Sequence, residues 1–268
     1  MILLVLAGLA IFPLFYTFTA SFKSNQELLV TGSTLLPKQF TLDNYKDAWV
    51  LADFKKYTWN SIYMTVLIMI GVLINSTMSG YVFARARFPG KRFLFSMFTA
   101  TMFIGLGSIT LFPLIQVAKF FHLNTSLFGV ILIHIFGLHV VHLFIVRGYI
   151  QSIPREIDEA AKMDGCSFFR IFWSVILPLL KPVIATVGLL SFRDAWNDYL
   201  LPLVFTLPNP SNSPLTVGVV ALRTTGEAAS SWNLMIAGTM MSIVPMLIVF
   251  LFLNRYFISG LTGGAVKG

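Results

Sequence analysis

Apolar runs long enough to cross a bilayer recur along this chain, and they dictate its class before any motif does. A spanning helix needs about 20 apolar residues, and runs of that kind lie at about Met1–Phe22, Thr58–Ala84, Phe93–Phe120, Leu127–Ile150, Leu179–Phe205 and Leu234–Phe257. The chain is 56% hydrophobic and 11% charged, against about 25% charged residues in a soluble domain. A soluble protein with an unusually large core does not fit that charge content. The expectation is an all-α polytopic membrane protein with six transmembrane helices, residues 1–268 forming one transmembrane domain.

Lysine and arginine placement orients the spans, because basic residues collect in short cytosolic loops. Arg85, Arg87, Lys91 and Arg92 follow span two, and Arg147, Arg155, Lys162, Arg170 and Lys181 follow span four. Arg255 and Lys267 follow span six. The opposite side carries Lys23, Lys38, Lys46, Lys55, Lys56, Lys119 and Arg223. Both termini are therefore expected in the cytosol. The first run is longer than the core of a signal peptide and lacks a cleavage site after Phe22, so it reads as a true span. The net charge of +8 sits beside the spans and does not suggest nucleic acid. The single cysteine, Cys166, leaves no internal disulfide and reads as a reduced cytosolic thiol.

Catalytic and metal signatures are missing from the pattern. Gly90-Lys91 lacks the earlier glycine and the following hydroxyl of a phosphate-cradling loop, and no His-Glu-x-x-His spacing occurs. His134, His139 and His142 fall in span four, the last two on one helix face. Ionisable groups inside a membrane are often functional, but packing and interhelical hydrogen bonding by neutral imidazoles is the favoured reading. The chain is expected not to be an enzyme, with no metal and no cofactor of its own.

A charged island separates spans four and five. Ser152 and Pro154 are expected to open a helix there, with Glu156, Asp158 and Glu159 near its positive end. Ile157, Ala160, Ala161 and Asp164 then share a face that the alanines keep flat, so another surface can approach. Gly165 allows a reversal through positive φ, and Phe168, Phe169, Ile171, Phe172 and Val175 form a second, apolar piece. Leu177-Pro178 ends it and launches span five.

The pattern Glu159-Ala160-Ala161, then Gly165, then Leu177-Pro178 resembles the coupling-loop motif in membrane subunits of bacterial ATP-binding-cassette importers. One position departs conservatively, Val175 standing where the family usually has isoleucine. Further stretches look like the carbohydrate-import branch: Ser21-Phe22-Lys23, Leu42-Asp43-Asn44-Tyr45, Asn60-Ser61, Trp196-Asn197 with Leu200 and Pro202, and the tail Gly260–Gly268. The chain is similar to the short, six-span, maltose-type permease subunit over nearly its whole length. That resemblance implies the type I importer permease fold in a bacterial plasma (inner) membrane. It implies a second homologous permease subunit, two ATP-hydrolysing subunits that bind ATP and Mg, and an extracytoplasmic solute-binding protein. It also makes residues 151–178 the cytosolic coupling loop, 207–232 an extracytoplasmic loop, and 258–268 a cytosolic tail reaching toward the ATPase dimer. Glu159, Ala160, Ala161, Gly165, Leu177 and Pro178 would seat in an ATPase cleft. Pro208, Asn209, Pro210 and Asn212 would meet the binding protein.

Span five departs from the family in carrying Arg193, Asp194 and Asp198 near its middle, around Trp196 and Asn197. Charges at that depth face a water-filled cavity or pair with one another. Substrate contact, with Trp196 stacked on a sugar ring, and a structural ion pair stand even. The expected solute is a di- or oligosaccharide, with an acidic, uronate-type sugar if Arg193 faces the pathway. Polyols or glycerol phosphate esters are the alternative solutes. An ion-coupled carrier using the span-five acids and span-four histidines is the remaining alternative, and it leaves the island unexplained.

Overall fold

A computed structural model describes residues 2–31, 34–104, 107–224 and 231–265, with side chains near the C-terminus as far as Phe252. The side chains expected to form the 258–268 tail, and residues 225–230 of the 207–232 loop, lie outside that set. In chain order the helices are α1 (Ile2–Ala20), α2 (Asn25–Thr31), α3 (Asp43–Leu51), α4 (Phe54–Arg85), α5 (Lys91–Thr101), α6 (Leu111–Phe120), α7 (Leu127–Phe136) and α8 (Val140–Ser152). They continue as α9 (Glu156–Met163), α10 (Phe168–Ile171), α11 (Leu177–Leu179), α12 (Lys181–Trp196), α13 (Leu200–Thr206), α14 (Leu215–Ala221) and α15 (Trp232–Ala265). No strand occurs among the described residues.

By length and composition α1, α4 and α15 can each cross a membrane unbroken. Span four is the pair α7 and α8, bent by 42° at Gly137–His139. The third expected span divides into α5 and α6, a tight turn at Gly107–Thr110 leading into α6.

The fifth span starts near its expected place, after Leu177-Pro178, but departs from its expected course beyond Trp196. The segment Phe168–Leu179 meets α12 at 83°, because the Pro182 ring conflicts with helical continuation through the Pro178 carbonyl. The helix then stops at Trp196, and residues 197–199 are not helical. Pro202 accounts for this second break: continued helix would press its ring on the Asp198 carbonyl. In the first turn of α13 its missing N–H costs nothing, and the Asp198 carbonyl instead accepts from Thr216 Oγ1 at 2.9 Å.

The described chain forms two compact units. In the unit of residues 64–196 and 248–268, one apolar cluster joins Tyr81 and Ala84 of α4, Val146 and Ile150 of α8, and Val183 and Val187 of α12. Ala161, Ile171 and Phe172 from the segment between spans four and five belong to the same cluster. α4 and α8 pack closely because Gly80 faces Val146, where a Cβ would overlap that side chain.

The other unit comprises residues 1–63 and 197–247. Asn44 donates to the Ser21 and Lys23 carbonyls, both at 2.8 Å, and accepts from Asn233 Nδ2 at 2.7 Å. The Ser21 hydroxyl meets the Tyr45 hydroxyl at 2.6 Å. Lys23 is buried and donates to the Thr34 carbonyl. These contacts fold the segment after α1 back onto α3. They use the residues Ser21, Lys23, Asn44 and Tyr45 that the sequence set apart.

Candidate functional site

The island between spans four and five is a folded knuckle. Its opening differs from expectation. Ser152 ends α8, its hydroxyl donating to the Tyr149 carbonyl, and α9 starts after Arg155 with no side-chain cap. Pro154 acts as a stop, because the residue before a proline leaves the helical region; Ile153 is extended at ψ 128. Three acids in the first turn of α9 complement its dipole without a cap.

The turn after α9 behaves as the glycine predicts. Gly165 has φ +77. Its N–H donates to the Lys162 carbonyl at 2.9 Å, and the Cys166 N–H to the Ala161 carbonyl at 3.0 Å. These two bonds make a Schellman closure. The chain restarts at Ser167, whose hydroxyl accepts from the Arg170 N–H. A wide turn at Phe172–Ile176 then leads into Leu177-Pro178.

The two faces of α9 are not those the spacing suggested. Ala161 is buried and Ala160 is exposed, so the alanines do not share one flat face. Asp158 and Ala161 point inward, while Glu156, Glu159, Ala160 and Met163 lie outward at i, i+3, i+4 and i+7. Met163, the last residue of α9, is 89% exposed, an apolar side chain standing clear of the fold. The 3.6-residue period rotates Ala160 and Ala161 by about 100° from each other, enough to put them on different surfaces.

Beneath that face lies a buried ion pair. Arg85 Nε and Asp158 Oδ2 are 2.9 Å apart, with side chains 7% and 9% exposed. The Arg85 guanidinium also donates to the Ile153 carbonyl at 2.8 Å, where the chain leaves α8. One arginine at the end of α4 therefore ties both ends of the linker into the knuckle. Tyr81, one turn earlier, packs on Phe168 (4.5 Å between ring centres) and Phe172 (5.2 Å), and its hydroxyl donates to the Phe168 carbonyl. α4 runs 32 residues, about 48 Å, long enough to cross the membrane and still reach the knuckle. By sequence alone, Arg85 counts among the orienting cations and Asp158 among the helix-start acids. The available signal was the placement of an arginine at the end of a long apolar helix.

A cleft of about 550 Å³ opens beside the pair, with Arg87, Arg155, Glu159 and Lys162 on its rim. Cations crowd there: Lys91 donates to the Ala86 carbonyl at 2.7 Å, and its ammonium is held below its ordinary pKa by burial first, then by Arg147 and Arg155.

The span-five residues are arranged differently. Arg193 and Asp194 form an ion pair on α12, Arg193 donating to Asp194 Oδ1 at 2.7 and 3.0 Å, with both side chains about half exposed. Trp196 is buried, and one face of its indole stacks on Phe192 at 5.6 Å and 12°. Asn197 and Asp198 lie in the break before α13.

In the other unit, Pro208, Asn209 and Pro210 are exposed at the tip of the loop after α13, and Asn212 is half-buried. The base of the loop is pinned. Asn60 Nδ2 donates to the Ser211 and Ser213 carbonyls at 3.2 and 3.0 Å, and the Leu215 N–H donates to Ser61 Oγ at 2.7 Å.

Residues 76–261 match the family described as "Binding-protein-dependent transport system inner membrane component". The arabinooligosaccharides transport system permease protein AraQ of Halalkalibacterium halodurans is 35% identical over 98% of this chain and 93% of its own length. The galactooligosaccharides transport system permease protein GanQ of Bacillus subtilis is 32% identical, covering 100% of this chain and 94% of its own length. Among solved structures, a bacterial ABC transporter involved in the import of the acidic polysaccharide alginate contains a similar chain. It aligns with a TM-score of 0.78 at 27% identity, covering 96% of this chain and 94% of that one.

Proposed function

The chain belongs to the family of binding-protein-dependent transport system inner membrane components, and from that premise we propose that it is the membrane subunit that couples ATP hydrolysis by partner subunits to import of an oligosaccharide. The observation that carries the coupling role is the two-sided α9: an outward face of Glu156, Glu159, Ala160 and Met163, set on a buried Arg85–Asp158 pair. A docking surface must be accessible, and a lever must not yield under it. The outward face supplies the first property. The ion pair and the apolar cluster continuous with α4, α8 and α12 supply the second. Displacement of α9 would then move the spans as a body rather than bend the loop.

In this reading Glu159 pairs with a cation of an ATPase subunit, and Ala160 permits close approach. A second, homologous permease subunit and a solute-binding protein complete the importer. The Pro208–Asn212 segment, exposed at Pro208, Asn209 and Pro210, receives the binding protein, and the 258–268 tail extends toward the ATPase subunits. The chain has no catalytic role, ATP and Mg being held by the partners. It lies in the inner membrane with both termini cytosolic.

A neutral di- or oligosaccharide is the solute the site supports best. The names of the relatives point to oligosaccharides, and Arg193 carries an adjacent Asp194 that cancels its charge. The similarity to an alginate importer chain favours an acidic sugar as the second reading. Uptake of neutral and uronate oligosaccharides by Arg193→Ala separates them: selective loss of the uronate supports the acidic reading, and equal effects support the neutral one. Glu159→Lys tests the coupling role. It is expected to weaken ATPase-subunit retention or to uncouple hydrolysis from uptake, and unchanged retention and transport would refute it.

A further inference from the structure

The ends of α4 and α8 gather cations that no carboxylate neutralises. Arg87, Lys91 and Arg92 line a groove of about 520 Å³ at the turn from α4 to α5, and Arg87 also lines the cleft that holds Arg155. Arg147 reaches the same place from α8. Its Nε donates to the Phe83 carbonyl at 3.4 Å, and its guanidinium lies over the Phe95 ring of α5, 4.0 Å from the ring centre. Lys91 feels these neighbours: burial first, then Arg147 and Arg155, hold its ammonium below its ordinary pKa. Elsewhere in this unit Arg85 and Arg193 each face a carboxylate. None of Arg87, Lys91, Arg92, Arg147 and Arg155 forms an ion pair among the described residues.

Part of the cluster has a structural task. Lys91 and Arg147 donate to the Ala86 and Phe83 carbonyls near the end of α4, where cations suit the negative end of its dipole. That uses a single donor of each side chain, out of the several that an ammonium and a guanidinium carry. It gives no task to Arg87, Arg92 and Arg155, which are exposed. Like charges held together disfavour one another's charged forms, so a cluster of this kind is completed by an anion from outside the chain.

The surroundings say which anion fits. α4 is 32 residues, about 48 Å, long, against a hydrocarbon layer of roughly 30 Å, so its ends stand at headgroup level. The cations there adjoin an apolar surface. Phe83 packs on Phe88, Phe95 and Phe98, each at 5.8 Å between ring centres, while Phe93 and Met97 of α5 are 72% and 46% exposed. A soluble anion needs only the charges, whereas a phospholipid also has acyl chains to lay against Phe93 and Met97. We propose that Arg87, Lys91, Arg147 and Arg155 bind the phosphate of an anionic phospholipid, with its chains along the exposed side of α5. Basic pockets beside transmembrane helices take anionic headgroups on the same physical grounds. The bound lipid would tie α4, α5 and α8 together where the knuckle is mounted. This site requires only that the helices span a bilayer and does not depend on which solute moves.

The test places the complete importer in nanodiscs of phosphatidylcholine with roughly a quarter phosphatidylglycerol and counts the lipids retained on release by native mass spectrometry. The wild type should retain phosphatidylglycerol in preference to phosphatidylcholine. Arg147→Gln and Arg155→Gln should each lower that preference about fivefold, and Arg155→Lys, which keeps the charge, should stay within about twofold of the wild type. Arg170→Gln removes an exposed cation that lines neither the groove nor the cleft, and it should leave the preference unchanged. If Arg147→Gln fails to assemble, Arg87→Gln takes its place. No preference in the wild type, or equal losses in Arg155→Gln and Arg170→Gln, would overturn the site and leave only a charged surface. Displacement of the lipid by excess inorganic phosphate would assign the cluster to a soluble anion. Loss of the ATPase subunits from Arg155→Gln with the lipid preference intact would assign it to subunit docking. Either of those results would also overturn the proposal.

Discussion

The knuckle between spans four and five and the loop after α13 are both polar excursions from an apolar chain, but they are held in different ways. The knuckle rests on a buried charge pair and on an apolar cluster shared with three long helices. The loop tip is pinned by neutral hydrogen bonds from Asn60 and Ser61, with Pro208, Asn209 and Pro210 left outside. A buried ion pair is costly to break on one side, about 3–5 kcal/mol, whereas a neutral hydrogen bond contributes about 1 kcal/mol net. A segment that must transmit force needs the first kind of support. One that only presents a surface is adequately served by the second. Under the proposed function, the contrast would let two loops of one subunit serve partners with different mechanical demands.

Breaking the stronger anchor should have the largest effect. Asp158→Ala leaves Arg85 buried without its counter-charge, and a loss of about 3–5 kcal/mol is expected. It should be read as a fall in the thermal midpoint and yield of the purified complex. Replacing both partners by apolar residues, Arg85→Met with Asp158→Leu, should recover most of that loss. A double variant no better than Asp158→Ala would show that the pair does more than satisfy its own charges.

Next comes the turn that closes α9. Gly165→Ala forces a Cβ into φ +77, a cost of about 1–2 kcal/mol. It should lower coupling of ATP hydrolysis to uptake while leaving the spans folded, as circular dichroism would report. The smallest effect is expected at the loop. Asn60→Ala removes two hydrogen bonds to the loop base and should cost about 1–2 kcal/mol locally. It should reduce stimulation of ATPase activity by the binding protein while leaving basal hydrolysis unchanged. A loss as large as that of Asp158→Ala would erase the distinction between the two regions.

Much of this was legible in the sequence, and the limits have physical causes. The apolar runs announced the spans, because their lengths match the bilayer. Gly165 announced its turn, because few other residues adopt positive φ cheaply. Breaks inside spans were harder to see. The proline that ends α12 is Pro202, six residues past the last helical position, and it acts backwards along the chain on the Asp198 carbonyl. The faces of α9 were misjudged because Ala160 and Ala161 look alike in composition, and only packing decides which is covered. The Arg85–Asp158 pair joins residues far apart in the chain, which spacing within one element does not report.

Under the proposed function the outward face of α9 is the docking surface and the inward face its support. The most direct measurement is co-purification of the ATPase subunits with Ala160→Trp, alongside the thermal midpoint of the isolated membrane subunits. Most of the bound ATPase should be lost with the midpoint unchanged, because Ala160 touches solvent and not the core. A wild-type ratio of ATPase to membrane subunits in that variant would contradict the docking role.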